Sequence, residues 1–351
     1  MNLDQLLDLV IDRNASDLHL VVGYPPTIRI NGELIPVTGL TASNNNELLG
    51  IIENLLTPIQ KSQFTSTFEL DFGFTHQKRA RFRANIYKQQ GGLSLAFRMI
   101  PLKIPLLDKL GLPPAALKLG EIRQGLVLVV GPTGHGKSTT LAAFINQINN
   151  TKQSHIITIE DPIEYIYPLG RAVVSQREMF VDTKSWSAAL KSALREDPDV
   201  VLVGEMRDLE TIATTITIAE TGHLVFATLH TNSAAQSIDR IIDVFPQTQQ
   251  GQVRLQLGGV LEAIISQRLV PTISPGRVMA AELLLKTPAL AELIRSAKTH
   301  LIDNLIQTSG ELGMVTLESS LAQLIQQGKI SYESARDYSF RPDLLAKLIG
   351  R

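Results

Sequence analysis

The chain has 351 residues, 44% of them hydrophobic, and a formal net charge of −1. That is long enough for two domains with at least one large core, and too balanced for a global electrostatic pull on nucleic acid. It contains no cysteine, which excludes disulfides, thiolate metal sites and cysteine catalysis and agrees with a cytoplasmic location.

Leu3, Leu6, Leu7, Val10 and Ile11 recur at helical spacing and predict an amphipathic first helix; with its acidic residues, this N-terminus is unlike a secretory signal. No apolar run approaches the roughly eighteen residues of a membrane-spanning helix. Short alternating segments follow at 17–22, 27–30 and 33–37, with Asn31-Gly32 as a hairpin turn between the last two. A helix is predicted around 48–56, then strands near 79–87 and 93–100 joined through Gly91-Gly92. Helices mixed with hairpins make residues 1–100 a small α+β domain. Residues 101–120, with prolines at 101, 105, 113 and 114, read as a linker and a hinge.

From 121 to 351 the pattern changes to strand–helix alternation, which predicts an α/β domain with a mainly parallel sheet. Strands are expected at 126–130, 155–159, 200–203, 224–228 and 278–285, and helices after the first strand and at 184–196, 208–220 and 233–242. Beyond about 248 the chain reads as mostly helical. Trp186, Ala189, Leu190, Ala193 and Leu194 form one apolar stripe, so Trp186 is read as a core anchor.

The stretch Gly131-Pro132-Thr133-Gly134-His135-Gly136-Lys137-Ser138 is a complete G-x-x-x-x-G-K-[ST] phosphate-binding loop, and Thr139 continues it. The apolar run 126–130 precedes it, and Leu141, Phe144, Ile145 and Ile148 follow at helical spacing. A chance glycine turn would lack that strand and helix. Glycines let backbone N–H groups curl around phosphate oxygens at the positive end of a helix. Lys137 reaches the β- and γ-phosphates and Ser138 ligates Mg²⁺, so the chain is expected to bind ATP with Mg²⁺.

Phosphoryl transfer also needs a metal-side acid and a group that orients water. Glu205 follows a buried strand and Gly204, at a strand tip of the kind that lines ligand crevices in open α/β sheets. Its alternative is to cap the next helix. Glu160, Asp161 and Glu164 cluster at another strand end around Pro162, either to hold water or as a solvated turn. His230 ends the strand that His223 begins, on the nucleotide side, as a γ-phosphate sensor or a structural histidine.

Arg79, Arg81 and Arg83 alternate with Ala80, Phe82 and Ala84, which predicts a row of guanidiniums on one sheet face, shared by Arg98 on the neighbouring strand. Arginines suit forked recognition of phosphate held by an adjacent subunit; a solvated face carries the same pattern.

The phosphate loop, Glu160-Asp-Pro-Ile-Glu164, Asp197-Pro-Asp to Gly204-Glu205-Met-Arg-Asp208 and Thr221-Gly-His to Leu229-His230-Thr-Asn together resemble the secretion and type IV pilus motor ATPases. Ser16-Asp-Leu-His-Leu20 and Ile30-Asn-Gly-Glu33 are similar to the retraction branch of that family. The resemblance implies a homohexameric ring with a PAS-like N-terminal domain and a RecA-like C-terminal domain. Nucleotides would lie between protomers, completed by Arg81, Arg83 and Arg98. It implies Glu164 as the catalytic carboxylate and Glu205 as the Mg²⁺-side acid. The implied partners are an inner-membrane pilus platform protein, pilins through it, and a retraction paralogue, with the ring peripheral to the inner face of the cytoplasmic membrane.

Three positions depart from the pattern: His135 stands where serine is usual, and Asp303 and Gln307 stand where retraction ATPases carry arginine. Competing readings are an accessory retraction paralogue, a pilus assembly or secretion ATPase, and a RecA-like nucleic-acid translocase. Paired C-x-x-C motifs, expected of many assembly ATPases, are missing here. The balanced charge and 5% aromatic content speak against a nucleic-acid partner.

Overall fold

Period-two alternation builds the first of two units in the computed structural model, which describes residues 2–30 and 32–350. That unit comprises Met1–Lys103 with Pro162–Ile166; the second comprises Ile104–Asp161 with Tyr167–Arg351.

The first unit runs α1 (Leu3–Asp12), β1 (Asp17–Val21), β2 (Thr27–Ile30), β3 (Glu33–Pro36), α2 (Asn45–Leu55), α3 (Pro58–Thr67), β4 (Glu69–His76), β5 (Ala80–Gln89) and β6 (Gly92–Ile100). Among the described residues the six strands form an antiparallel sheet in the order β3-β2-β1-β6-β5-β4. Ala80, Phe82, Ala84 and Ile86 alternate along β5 into a core shared with Leu6, Leu7 and Val10 of α1 and Leu48 and Ile52 of α2. Of the expected Asn31-Gly32 turn, Asn31 lies outside the described residues, while Gly32 takes the positive φ (+91°) that such a turn requires.

Two elements of this unit escape the sequence reading. In α3, Ser, Thr and Gln occupy most positions, so periodicity is weak; its start is nonetheless marked by Pro58 and a Thr57–Gln60 capping box. In β4, Leu70, Phe72 and His76 are buried at even spacing, with Gly73 interrupting the alternation between them.

The second unit is wound around β7 (Gly125–Val130), α4 (Lys137–Thr151), β8 (His155–Glu160), β9 (Val173–Glu178), α5 (Trp186–Ala193), β10 (Val200–Val203), α6 (Leu209–Glu220), β11 (Leu224–Leu229), α7 (Ala234–Asp243), α8 (Gln247–Val260), β12 (Leu261–Pro271) and β13 (Arg277–Leu285). Its sheet order is β13-β12-β7-β11-β10-β8-β9, parallel except for β13. Strands β7, β10 and β11 are buried throughout, which is why they read as continuous apolar runs.

Most of the chain beyond 248 is helical, as expected, but that reading omits β12, an eleven-residue strand between β7 and β13. It follows α8 without an intervening loop, and both its faces are buried, so neither a turn signal nor alternation marks it. The edge strand β9 is half exposed and carries no apolar run that marks it in the sequence. Among the described residues five short α-helices follow β13: α9 (Pro288–Arg295), α10 (Ile302–Thr308), α11 (Leu317–Gln326), α12 (Tyr332–Tyr338) and α13 (Pro342–Leu348). Leu317, Leu321, Ala335 and Leu345 of these pack on Val270 and Ala280 of β12 and β13. Within the proline-rich stretch, 3-10 turns at Leu107–Lys109 and Pro114–Glu121 bury Ala116 and Leu119.

Candidate nucleotide-binding and catalytic site

Parallel strands deliver their C-terminal ends to one edge of the sheet, where open α/β sheets hold ligands. Here β7 delivers the loop 131–136, β10 delivers Glu205 and β11 delivers His230. Lys137 opens α4, and its ammonium donates to Gly131 O at 2.8 Å and to Pro132 O at 3.0 Å. The loop thus carries its lysine curled over its own carbonyls. Ser138 and Thr139 follow in the first turn of α4, Ser138 exposed to solvent. Thr133 and Gly134 are exposed at the loop crest.

Gly131 has a φ of +146°, and a Cβ there would come within 2.5 Å of Gln267 O, so no side chain fits. Gly204 has a different reason. A Cβ there would meet Ile159 O at 3.1 Å and the Trp186 ring at 3.2 Å, because Gly204 N donates to Ile159 O and Thr228 Oγ1 donates to Gly204 O. These bonds bind the tips of β8, β10 and β11 together and fix where Glu205 emerges. Trp186 packs against the second unit's core, as its stripe implied.

His230 joins the loop to Glu205. Its Nδ1 lies 3.3 Å from Thr133 Oγ1 and 3.5 Å from Lys137 Nζ, and its Nε2 lies 3.3 Å from Glu205 Oε1. Two donors facing Nδ1 and a carboxylate facing Nε2 match a ring protonated on Nε2. Arg207 pairs with Glu205 at 2.7 Å. Burial opposes ionisation of Glu205, but the Arg207 hydrogen bond and the electrostatic pull of His230, Arg207 and Lys137 outweigh it and hold the carboxyl below its ordinary value. Capping of α6 falls to Asp208, which accepts from Thr211 N at 2.9 Å, so Glu205 is not the helix cap. His223, at the opposite end of β11, faces Ile218 O and Thr221 Oγ1 and is structural.

The acidic turn divides. Glu160 accepts from Thr158 Oγ1 at 2.7 Å and Gln176 Nε2 at 3.2 Å at the tip of β8. Glu164 belongs to the first unit, 3.8 Å from Arg83 Nη1, and Arg81 Nε donates to the neighbouring Ile163 O at 2.7 Å. On the same sheet Arg83 is directly opposite Arg98, pairs with Asp71, and Arg98 Nε donates to Asp17 at 2.9 Å. Arg98 is the more exposed of the two, at 63%. Arg79 is corrected out of this row: it precedes β5 in a turn where Gln77 and Lys78 have positive φ, and it pairs with Asp8 and Asp12 of α1.

Sequence reasoning missed Gln267, Arg268 and Leu269, since β12 went unrecognised. Gln267 Nε2 donates to His135 O at 2.6 Å, Leu269 N donates to His135 Nδ1 at 3.0 Å, and Arg268 donates to Gln267 O and Asn232 O. The terminal Pro271 was the available signal, because a helix does not run comfortably into a proline. At the altered C-terminal positions, Asp303 lies 3.5 Å from Arg341, which also pairs with the buried Glu318, while Gln307 is exposed.

A family model described as type II/IV secretion system protein matches residues 3–277. The type IV pilus retraction ATPase PilT of Pseudomonas aeruginosa is 46% identical over 343 residues, covering 98% of this chain and 99% of that protein. The type IV pilus ATPase PilU of the same organism is 41% identical over 339 residues, covering 95% and 88%. The fold matches the crystal structure of the pilus retraction motor PilT with bound ADP at a TM-score of 0.91, with 44% identity and 99% of each chain covered.

Proposed function

The chain belongs to the type II/IV secretion system protein family, and from that premise we propose that it is a pilus retraction ATPase, working as a homohexameric ring that hydrolyses ATP between protomers. The observation that supports this best is the run of contacts from Lys137 through His230 to Glu205. It connects the group that meets the transferred phosphate with the acid on the metal side, through a ring able to register whether the γ-phosphate is present.

In this reading Gly131 to Gly136 wrap the phosphates with backbone N–H groups, and Lys137 exchanges its two loop carbonyls for phosphate oxygens. Ser138 and Glu205 would hold Mg²⁺, and their chemistry fits, since such an ion takes one or two protein oxygens and completes its shell with phosphate and water. When bound, the ion would neutralise charge on the phosphate oxygens. Glu164 orients the attacking water, and Arg81, Arg83 and Arg98 reach the nucleotide of the adjoining protomer. To do so Arg83 and Arg98 must release Asp71 and Asp17, so arginine engagement is coupled to a rearrangement of the first unit's own ion pairs. The ring would dock at the inner face of the cytoplasmic membrane on a pilus platform protein, and act on pilins through it. Among the described residues no helix is long and apolar enough to cross a membrane.

Steady-state ATPase measurements on the native protein and Glu164→Gln test the catalytic assignment. The variant is expected to bind ATP and lose turnover; no turnover in the native hexamer would sink the motor reading. Deleting the gene and counting pili tests direction, because hyperpiliated cells that cannot twitch indicate retraction and bald cells indicate assembly. One observation favours a second reading, an accessory retraction ATPase: Asp303 is engaged by Arg341 where retraction ATPases carry arginine. In that case the deletion removes retraction force while some twitching persists.

A further inference from the structure

We propose that His135 and Gln267 form a positioning clasp on the phosphate loop, and that the His135 ring makes the loop's grip on ATP sensitive to pH. The proposal rests on the ATPase reading and adds to it a positioning device on the phosphate loop.

Strand β12 reaches the loop at one residue by two routes. Gln267 Nε2 donates to the backbone oxygen of His135 at 2.6 Å, and Leu269 N donates to its ring Nδ1 at 3.0 Å. Gln267 is fully buried, and its Oε1 finds no hydrogen-bond partner among the described residues. A buried amide left half satisfied is costly, so its placement against the loop calls for a reason beyond packing. The reason we infer is orientation. With glycine on either side of His135, few side chains steer this part of the backbone, and both bonds fix the peptide planes whose N–H groups face phosphate. A Cβ at Gly136 would stand 3.3 Å from Gln267 Nε2, which shows how closely the strand braces the loop.

The bond from Leu269 requires a lone pair on Nδ1, so the ring is neutral with its proton on Nε2. Protonation turns Nδ1 into a donor facing another donor, and the bond is lost. The groups facing the ring favour the neutral form: Lys137 on α4, Arg268 on β12, Arg277 on β13, and the Tyr338 ring of α12 at 6.2 Å between centroids. Burial first, then the charges of Arg268, Lys137 and Arg277, hold the imidazole below its ordinary value. The clasp is therefore closed at neutral pH and opens as acid protonates the ring. A serine at this position has no ring nitrogen to accept from Leu269 and no such sensitivity.

The test is nucleotide affinity, read with a fluorescent ATP analogue, and KM for ATP. Both are measured from about pH 5 to about pH 8, the range in which histidines titrate, with the acid end included because this ring is held low. Four proteins are compared: the native chain, His135→Ser, His135→Asn and Gln267→Glu. The native KM is expected to rise about three- to tenfold towards acid, the scale of losing one hydrogen bond. His135→Ser carries the raised KM at every pH. His135→Asn, whose amide oxygen accepts from Leu269 but does not titrate, recovers the native neutral value and stays flat. Gln267→Glu, which cannot donate to the His135 carbonyl, raises KM even at neutral pH. A His135→Ser protein with native KM, a native-like acid slope in His135→Asn, or tighter binding in acid would overturn the clasp. Affinity is read without hydrolysis, so failure of the ATPase reading appears separately, as a native protein that does not bind or turn over ATP.

Discussion

Replacing Glu282 by glutamine should stabilise the second unit, and only above a definable pH. Glu282 lies on β13, 3% exposed, and its Oε1 accepts from Ala234 N at 2.8 Å at the start of α7, just beyond His230. Burial raises its carboxyl to about 7 from the ordinary 4.5; the Ala234 bond opposes this, repulsion from Asp303 and Glu318 adds to it, and Arg341 offsets part. Below about pH 4.5 the group is protonated folded and unfolded and contributes nothing. Between about 4.5 and 7 only the folded chain holds the proton, so stability falls as pH rises. Above 7 both states are ionised and the penalty is complete, about 3 kcal/mol at roughly 1.4 kcal/mol per pH unit. Glutamine keeps an oxygen for Ala234 and removes the charge. The chain's single tryptophan, Trp186, lies in the second unit and reports its unfolding. Urea denaturation followed by Trp186 fluorescence, nucleotide-free and at matched concentration, should show Glu282→Gln near the native protein in acid and more stable by up to about 3 kcal/mol near pH 8. An equal difference at both pH values would refute the reasoning.

Gly131→Ala is expected to lose ATP affinity by more than tenfold and destabilise the second unit by about 1–3 kcal/mol, since its Cβ meets a backbone oxygen that cannot swing aside. Trp186-monitored denaturation beside nucleotide titration checks both effects, and native affinity would show that the loop tolerates a side chain. Glu205→Gln should cut kcat by about 10²–10³, the scale of removing one group that manages transition-state charge. Because Arg207, His230 and Lys137 depress its carboxyl, Glu205 remains ionised through mildly acidic pH, and any acid limb in the native ATPase profile arises elsewhere. A variant keeping more than about a tenth of native kcat would remove Glu205 from the reaction.

Much of the fold is legible because local rules dominate where one environment surrounds an element. Strands β7, β10 and β11 are buried on both faces and read as apolar runs, and β5 alternates against one core, so Phe82 and Arg83 declare opposite faces. Strand β12 does not, because it continues from α8 without a turn and lacks alternation. Arg79 shares the parity of Arg81 and Arg83, yet a turn of positive φ carries it to α1, a change that spacing alone does not encode.

By itself the chain determined the phosphate loop, the acids at strand tips, the histidine beyond β11 and the division between an α+β and an α/β half. These depend on residue type and on neighbours a few positions away. Tertiary structure decided which of those groups meet. It set His230 between Lys137 and Glu205, assigned Arg207 to Glu205, and put Gln267 against His135 across 132 residues of chain. Such pairings follow from how strands order themselves in a sheet, a long-range outcome of packing that leaves no periodic mark on the sequence.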